Sequence, residues 1–334
     1  MQPRAEFPSQ AQITNYIRSL LPVLGTDVQY LYHTPRYHGY DPAHKAAINV
    51  VVSVTPTAGV YAQLRPGTVC FLHRPFMLDR RRVPHGALVL ASHTAFDEVL
   101  TTGYNVPLAA RLGMEVEDAV TMQGYKGDPN RRIGIVGRLL HDFDGGALLA
   151  KSPRDNSSTP KQHDPHEAFY NDLRAKVQRE FKTPMEWFPG TDGGSELGPG
   201  GNGIQQWSKI GVLAIMNAFD QEVVGRVDEA RRRMGWTSSA DSGTTLYLTG
   251  QPRKAGVEAA MKHEMHVGCV GHRSAEEWGI RYIALCLTHE FPDIGINVVL
   301  EEEEVVRRER FPNQAATIRL EAKDHASTII TPEV

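Results

Sequence analysis

Three short segments carry the residue types that a divalent cation requires: Leu72-His73-Arg74-Pro75, Ser92-His93-Thr94-Ala95-Phe96-Asp97 and Thr288-His289-Glu290-Phe291-Pro292-Asp293. In each, the histidine directly follows an apolar run of β type, which places it at the carboxyl end of a predicted strand. Side chains there leave the core yet stay anchored by the sheet, and in open α/β sheets ligands bind at that edge. Imidazole nitrogen with carboxylate oxygen suits Zn, Fe, Mn, Co or Ni, and two histidines with one acid leave positions for water or substrate. Asp293 stands four residues after His289 and adds a carboxylate one turn beyond the strand. For any one of these histidines the plain alternative is a hydrogen-bonded polar residue at a strand end; three such ends together argue for a site.

These segments need a sheet to hold them, and the pattern supplies one. Ile13, Tyr16, Ile17 and Leu20 recur at helical spacing behind an N-cap at Ser9, and Pro22 ends the helix. The runs 47–54, 68–72 and 87–91 are almost continuously apolar, as strands buried on both faces are. Asn105 caps a short helix carrying Leu108 and Leu112, with Gly113 as its stop. Phe169, Leu173, Val177 and Phe181 form one apolar helical stripe. A second set follows: a strand over 211–216, a helix from Asp220 presenting Val223, Val227 and Ala230, and a strand over 244–249. Ser274-Ala275-Glu276-Glu277 has the form of a capping box, ahead of an apolar strand-like run over 282–287. The sorted charges over 296–310 suit a solvated helix, and 316–320 reads as a last strand. The chain therefore divides into an α/β half over 1–150, a loop-helix-loop insertion over 151–205, and a second α/β half over 206–334.

Composition excludes some functions. With 334 residues and 41% hydrophobic content the chain can bury a large core, and 36 basic against 39 acidic residues give no electrostatic footprint for nucleic acid. Cys70, Cys269 and Cys286 lie apart in apolar runs, which fits free buried thiols in a reducing compartment. No membrane span or secretory leader is visible, so the expected place is intracellular, the cytoplasm and in a second reading also the nucleus. The glycines of 189–203 lack the strand before and the Lys-Ser/Thr after that a phosphate cradle needs. His263-Glu264-Met265-His266 misses the spacing of a zinc-protease helix by one residue. The triplets Arg80-Arg81-Arg82 and Arg231-Arg232-Arg233 read as solvated faces, the first near enough to His73 to edge a cleft.

In order and spacing these segments resemble the Ngg-one-interacting-factor-three-like family, also called GTP cyclohydrolase I type 2 homologues, which are dinuclear-metal proteins. Cys70-Phe71-Leu72-His73-Arg74-Pro75 is similar to the family's His-His-Pro segment, and Ser92 to Asp97 to its His-Thr-Asn-Leu-Asp segment. Ile135-Val136-Gly137 follows in turn, Leu248-Thr249-Gly250 is similar to its Ile-Thr-Gly-Asp strand, and Ile283 to His289 with Asp293 to its closing histidine and acid. The resemblance covers about residues 45–140 and 205–320. It implies two interlocked, similar α/β halves with a metal cleft between them, and a homo-oligomer, commonly a hexamer. It further implies that His73 and His289 bind one metal, that Asp97 binds the other, that Asp293 bridges both, and that His93 lines the cleft. His272 matches a histidine-bearing segment and reads as an outer or surface residue.

Two departures bear on function. The second histidine of the first segment is Arg74, whose guanidinium has no lone pair to give, and the terminal glutamate is replaced by Asp293. Arg74 is thus expected to fill one metal position and neutralise Asp97 and Asp293. At most one metal remains on His73, His289 and Asp293, and complete loss of metal is the competing outcome. Two functions follow. One is a metal-dependent hydrolase-like protein acting on a nucleotide or other phosphorylated metabolite, selected by Arg74 and Arg80 to Arg82, with His93 as proton carrier. The other is an inactive scaffold or regulator that meets protein partners through 151–205.

Overall fold

The computed structural model describes residues 7–22, 28–33, 41–140, 165–190, 210–236 and 244–301. They form an α/β structure with two sheets. The first orders its strands β1-β4-β3-β2-β11, with β1 Gln29–His33, β2 Asn49–Ser53, β3 Thr68–Leu72, β4 Leu88–Ala91 and β11 Gly295–Val299. All are parallel except β1, which pairs antiparallel with β4. The second orders β5-β6-β8-β9-β10-β7, with β5 Val120–Tyr125, β6 Asp128–Arg138, β7 Glu186–Phe188, β8 Ile210–Met216, β9 Thr244–Thr249 and β10 Met265–Cys269. Its centre, β8-β9-β10, is parallel, and antiparallel strands flank it. The chain laces the two sheets together: β5 and β6, early in sequence, join the second, while β11 returns to the first beside β2.

Alternation along the strands explains why the apolar runs are continuous. Val50, Val52, Val69, Phe71, Leu88 and Leu90 face a large central core that also takes Leu213, Ile215, Leu246 and Leu248 from the second sheet. Their neighbours Val51, Cys70, Leu72 and Val89 face a smaller core with Val60 and Leu64, on and just after helix α2 (Ala58–Gln63). Val212, Ala214, Met216, Tyr247 and Val267 likewise face away, against α6 (Gln221–Arg233) and α7 (Lys254–Lys262). Both faces of each sheet are therefore covered. Between the sheets the central core takes residues from α1 (Gln10–Ser19), α3 (Thr94–Val99), α4 (Val106–Arg111), α5 (Pro165–Phe181) and α8 (His272–Glu290).

Local chemistry sets several boundaries as expected. Ser9 caps α1 in a reciprocal pair with Gln12, Asn105 caps α4 through the Leu108 N–H, and Asp220 caps α6 through the Val223 N–H. Leu173, Val177 and Phe181 turn the stripe of α5 into the core. The hairpin between β5 and β6 turns through Lys126 and Gly127, both at positive φ (49° and 84°), the backbone that a tight two-residue connection needs.

Three expectations are corrected. The run 282–287 is not a strand but the interior of α8, where Ala275, Gly279, Ile283 and Leu287 are buried at a spacing of four; a short apolar run cannot be told from a helix by itself. The capping box at Ser274 does not form, because α8 already begins at His272 behind Gly271, held at φ 87°. The start of the charged run, 296–299, is strand β11 rather than helix, paired residue for residue with β2; the strand expected over 316–320 lies outside the described residues. Cys70 and Cys269 are buried, and burial pushes both thiols up to about 12. Among the described residues no helix is long and apolar enough to cross a membrane.

Candidate functional site

The carboxyl ends of β3 and β4 and the first turn of α8 bring six polar side chains together. His73 directly follows β3 and is fully buried; its Nδ1 lies 3.3 Å from the Ser92 carbonyl oxygen, which fixes the ring and aims Nε2 the other way. Nε2 stands 3.3 Å from Asp97 Oδ1 and 3.3 Å from Glu276 Oε1. The His73 ring is held between the Phe96 ring, 4.2 Å away, and the parallel His93 ring at 4.9 Å. His93, half exposed, puts Nδ1 3.7 Å from Asp97 Oδ2. Asp97 reaches the site because α3 begins just after β4 and carries it one turn in. On the far side His272 Nε2 lies 3.2 Å from Glu276 Oε1, and Arg74 Nη1 approaches the same oxygen at 3.8 Å.

These are ion-pair distances, yet they are not hydrogen bonds. His73 Nε2 and both carboxylate oxygens of Glu276 make no hydrogen bond among the described residues. A buried carboxylate left so costs several kcal/mol unless positive charge compensates it. The surrounding groups show that pull. Burial pushes the Glu276 carboxyl up, but His272 and His73 outweigh it and bring it down to about 2. Burial also opposes charging His73, yet the nearby Asp97 and Glu276 leave its pKa raised. The Glu276 carboxylate raises His272. Burial lowers His93, only partly offset by Asp97. His73, His93 and Asp97 each offer a ligand atom, and these lie within 4.8 Å of one another. Two imidazoles, an aspartate and an adjoining buried glutamate without a hydrogen bond are a donor set that fits a divalent cation of the Zn, Fe or Mn kind.

Of the residues expected at the site, the structure brings together His73, His93, Asp97 and Arg74, and leaves out His289 and Asp293. His289 is exposed in the last turn of α8, seventeen residues beyond His272 and so about 25 Å along the helix. Asp293 is exposed in the turn before β11. The histidine and acid four apart that enter the cleft are His272 and Glu276. Glu276 was read only as an interior residue of a capping-box segment and His272 as an outer residue; the signal that marks them is the glycine-led start of a helix directly after strand β10. Arg74 accordingly approaches Glu276, at 3.8 Å, rather than Asp293. Arg80 to Arg82 form an exposed turn in which Arg82 lies over the Tyr61 ring at 3.9 Å, away from the cleft's wall.

Beside the cluster opens a cavity of about 190 Å³, walled by Asp97, His272, Asn217, Thr249, Arg131 and Arg253 among others. It draws on the carboxyl ends of β8 and β9 as well, so both sheets contribute to one cleft.

No protein-family model and no curated protein matches this sequence. Solved structures do. Reduced HcgD from Methanocaldococcus jannaschii is 13% identical over 87% of this chain and 97% of its own, with a TM-score of 0.50. The chain has the fold of HcgD. A Bacillus cereus protein related to NIF3 (10% identity, 90% and 99% coverage, TM-score 0.47) and Staphylococcus aureus protein SA1388 (12%, 89% and 98%, 0.48) are also similar. At these identities the likeness to HcgD is one of fold.

Proposed function

We propose that this chain is a divergent member of the Ngg-one-interacting-factor-three-like family that binds one divalent metal and acts as a metal-dependent hydrolase on a small phosphorylated molecule. The observation that carries this is the buried approach of His73 Nε2 to the Glu276 carboxylate at 3.3 Å without a hydrogen bond at either atom, a need that a shared cation would satisfy. In this reading His73, Asp97 and Glu276 hold the metal, with His272 steadying Glu276 from the rim. A bound divalent cation supplies Lewis acidity and lowers the pKa of water. His93, half exposed at the cleft mouth with Nδ1 facing Asp97, holds and passes a proton there. Arg74 stands in for the second metal as a fixed positive charge beside Glu276. Assembly as a homo-oligomer, a hexamer by the resemblance, and protein contacts through 151–205 belong to the same reading and are checked by light scattering.

Reconstitution of the purified protein with Zn, Mn or Fe, followed by elemental analysis, tests it. The expected content is one metal per chain, rising toward two in Arg74→His. Two metals in the parent would overturn the role given to Arg74, and none in any condition would overturn the metal reading. That last outcome favours the second reading, an inactive scaffold, which the approach of Arg74 to Glu276 supports because a guanidinium and two imidazoles already offset that carboxylate's charge.

A further inference from the structure

We propose that the cavity beside Asp97 is an oxyanion subsite in which Arg131 and Arg253 grip a phosphoryl or carboxyl group of the molecule processed at the metal cluster. This deepens the function proposed above and rests on it for the identity of the bound molecule as a substrate.

Three observations carry it. First, both arginines line a cavity whose wall also includes Asp97 and His272, so an anion held there lies next to the reacting end of the cleft. Second, neither guanidinium forms an ion pair among the described residues, whereas the neighbouring Arg132 meets Glu98 at 2.6 Å and Arg231 meets Asp228 at 2.6 Å. Arg131 Nε is moreover buried with no hydrogen-bond partner among the described residues. A half-buried guanidinium with an unused donor is unusual, because its fork of N–H groups matches the paired oxygens of phosphate or carboxylate. Third, Arg131 is held by its surroundings, its guanidinium over the Tyr125 ring at 5.6 Å, and Arg253 stands exposed at the N-cap of α7 on the same cavity wall. Thr249 and Asn217 on the same wall offer a hydroxyl and an amide to further oxygens. Arg74 belongs to the metal cluster, and Arg80 to Arg82 lie apart, so selection of an anionic substrate passes from the arginines the sequence pointed to onto two that it did not.

Calorimetric titration of inorganic pyrophosphate, and separately of malonate, into the chelator-treated full chain tests the proposal without metal. The parent is expected to bind at least one of them at millimolar concentration, pyrophosphate the tighter if the group is phosphoryl and malonate if it is carboxyl. Arg253→Gln, at an exposed position where folding is safe, and Arg131→Gln should each weaken that binding about tenfold, while Arg80→Gln leaves it unchanged. Failure of the parent to bind either anion, or binding by both cavity variants as tight as the parent's, would overturn the subsite. Metal content measured on the same preparations separates the two ideas: anion binding in a protein that takes up no metal leaves the subsite standing and removes the hydrolase, whereas metal uptake without anion binding does the reverse.

Discussion

A histidine and an acid four residues apart stand at the start of helix α8 and another such pair straddles its end, and the two pairs have opposite fates. At the start, His272 and Glu276 occupy successive turns of one face; Glu276 is buried against His73, and the two residues of the pair stand 3.2 Å apart. At the finish, His289 is on the helix, but Asp293 lies past the C-cap at Phe291, where the chain has turned toward β11. Four residues bring side chains together only while the helix continues. The environment differs as well. The start of α8 follows β10 at the carboxyl edge of the second sheet and faces the carboxyl edge of the first, whereas the finish leads back to the opposite edge, where β11 begins. Spacing names candidates, and only the place of the helix between two sheet edges decides between them.

The largest expected effect removes the working end. His73→Ala and Glu276→Ala should each weaken metal binding by at least about a hundredfold, since loss of a ligand should cost no less than loss of the partners that orient it. In thermal unfolding the parent should gain about 2.7 kcal/mol at a metal concentration one hundred times the dissociation constant, and the variants should gain none; variants that still respond to metal would place the ligands elsewhere. Next comes the packing that seats α8. A Cβ at Gly279 would fall 2.5 Å from the Leu100 carbonyl oxygen and 2.5 Å from the Phe96 ring, so Gly279→Ala must push α8 from α3. Denaturant unfolding should show a loss of about 1–3 kcal/mol, and an unchanged midpoint would mean that the helix yields freely. Smaller again is His93→Ala, expected to weaken metal binding by about tenfold at most if His93 passes protons rather than holding the ion. A hundredfold loss would make it a ligand.

How far the site was legible in the sequence follows from the same comparison. Strands buried on both faces announce themselves, so β3, β4 and β9 are read almost to the residue, and with them His73, His93 and Asp97, because those residues take their positions from local sequence. Glu276 and His272 enter the site through a long-range event, the docking of α8 between the sheets, which no local pattern encodes. The apolar run 282–287 misled because all six residues are apolar or aromatic, and only the four-residue spacing of Ala275, Gly279, Ile283 and Leu287 reveals a helix. Once that run is taken for a strand, the histidine after it becomes a strand-end histidine and Glu276 becomes an interior residue of a capping-box segment. Arg131 escaped notice for a different reason: an unpaired guanidinium is a property of its neighbours in space, and the sequence shows only another charged residue in a β-hairpin.

The smallest effect is the most pointed, since it concerns the end of α8 that the sequence favoured. The double variant His289→Ala, Asp293→Ala removes two exposed polar side chains that have no ion pair among the described residues. Its stability in denaturant should stay within about 0.5 kcal/mol of the parent, as surface changes away from special features do, and its metal content and metal-induced rise in unfolding temperature should be unchanged. A double variant that loses metal while Glu276→Ala keeps it would invert the assignment, because the ion would then sit where α8 leaves the cleft rather than where it enters.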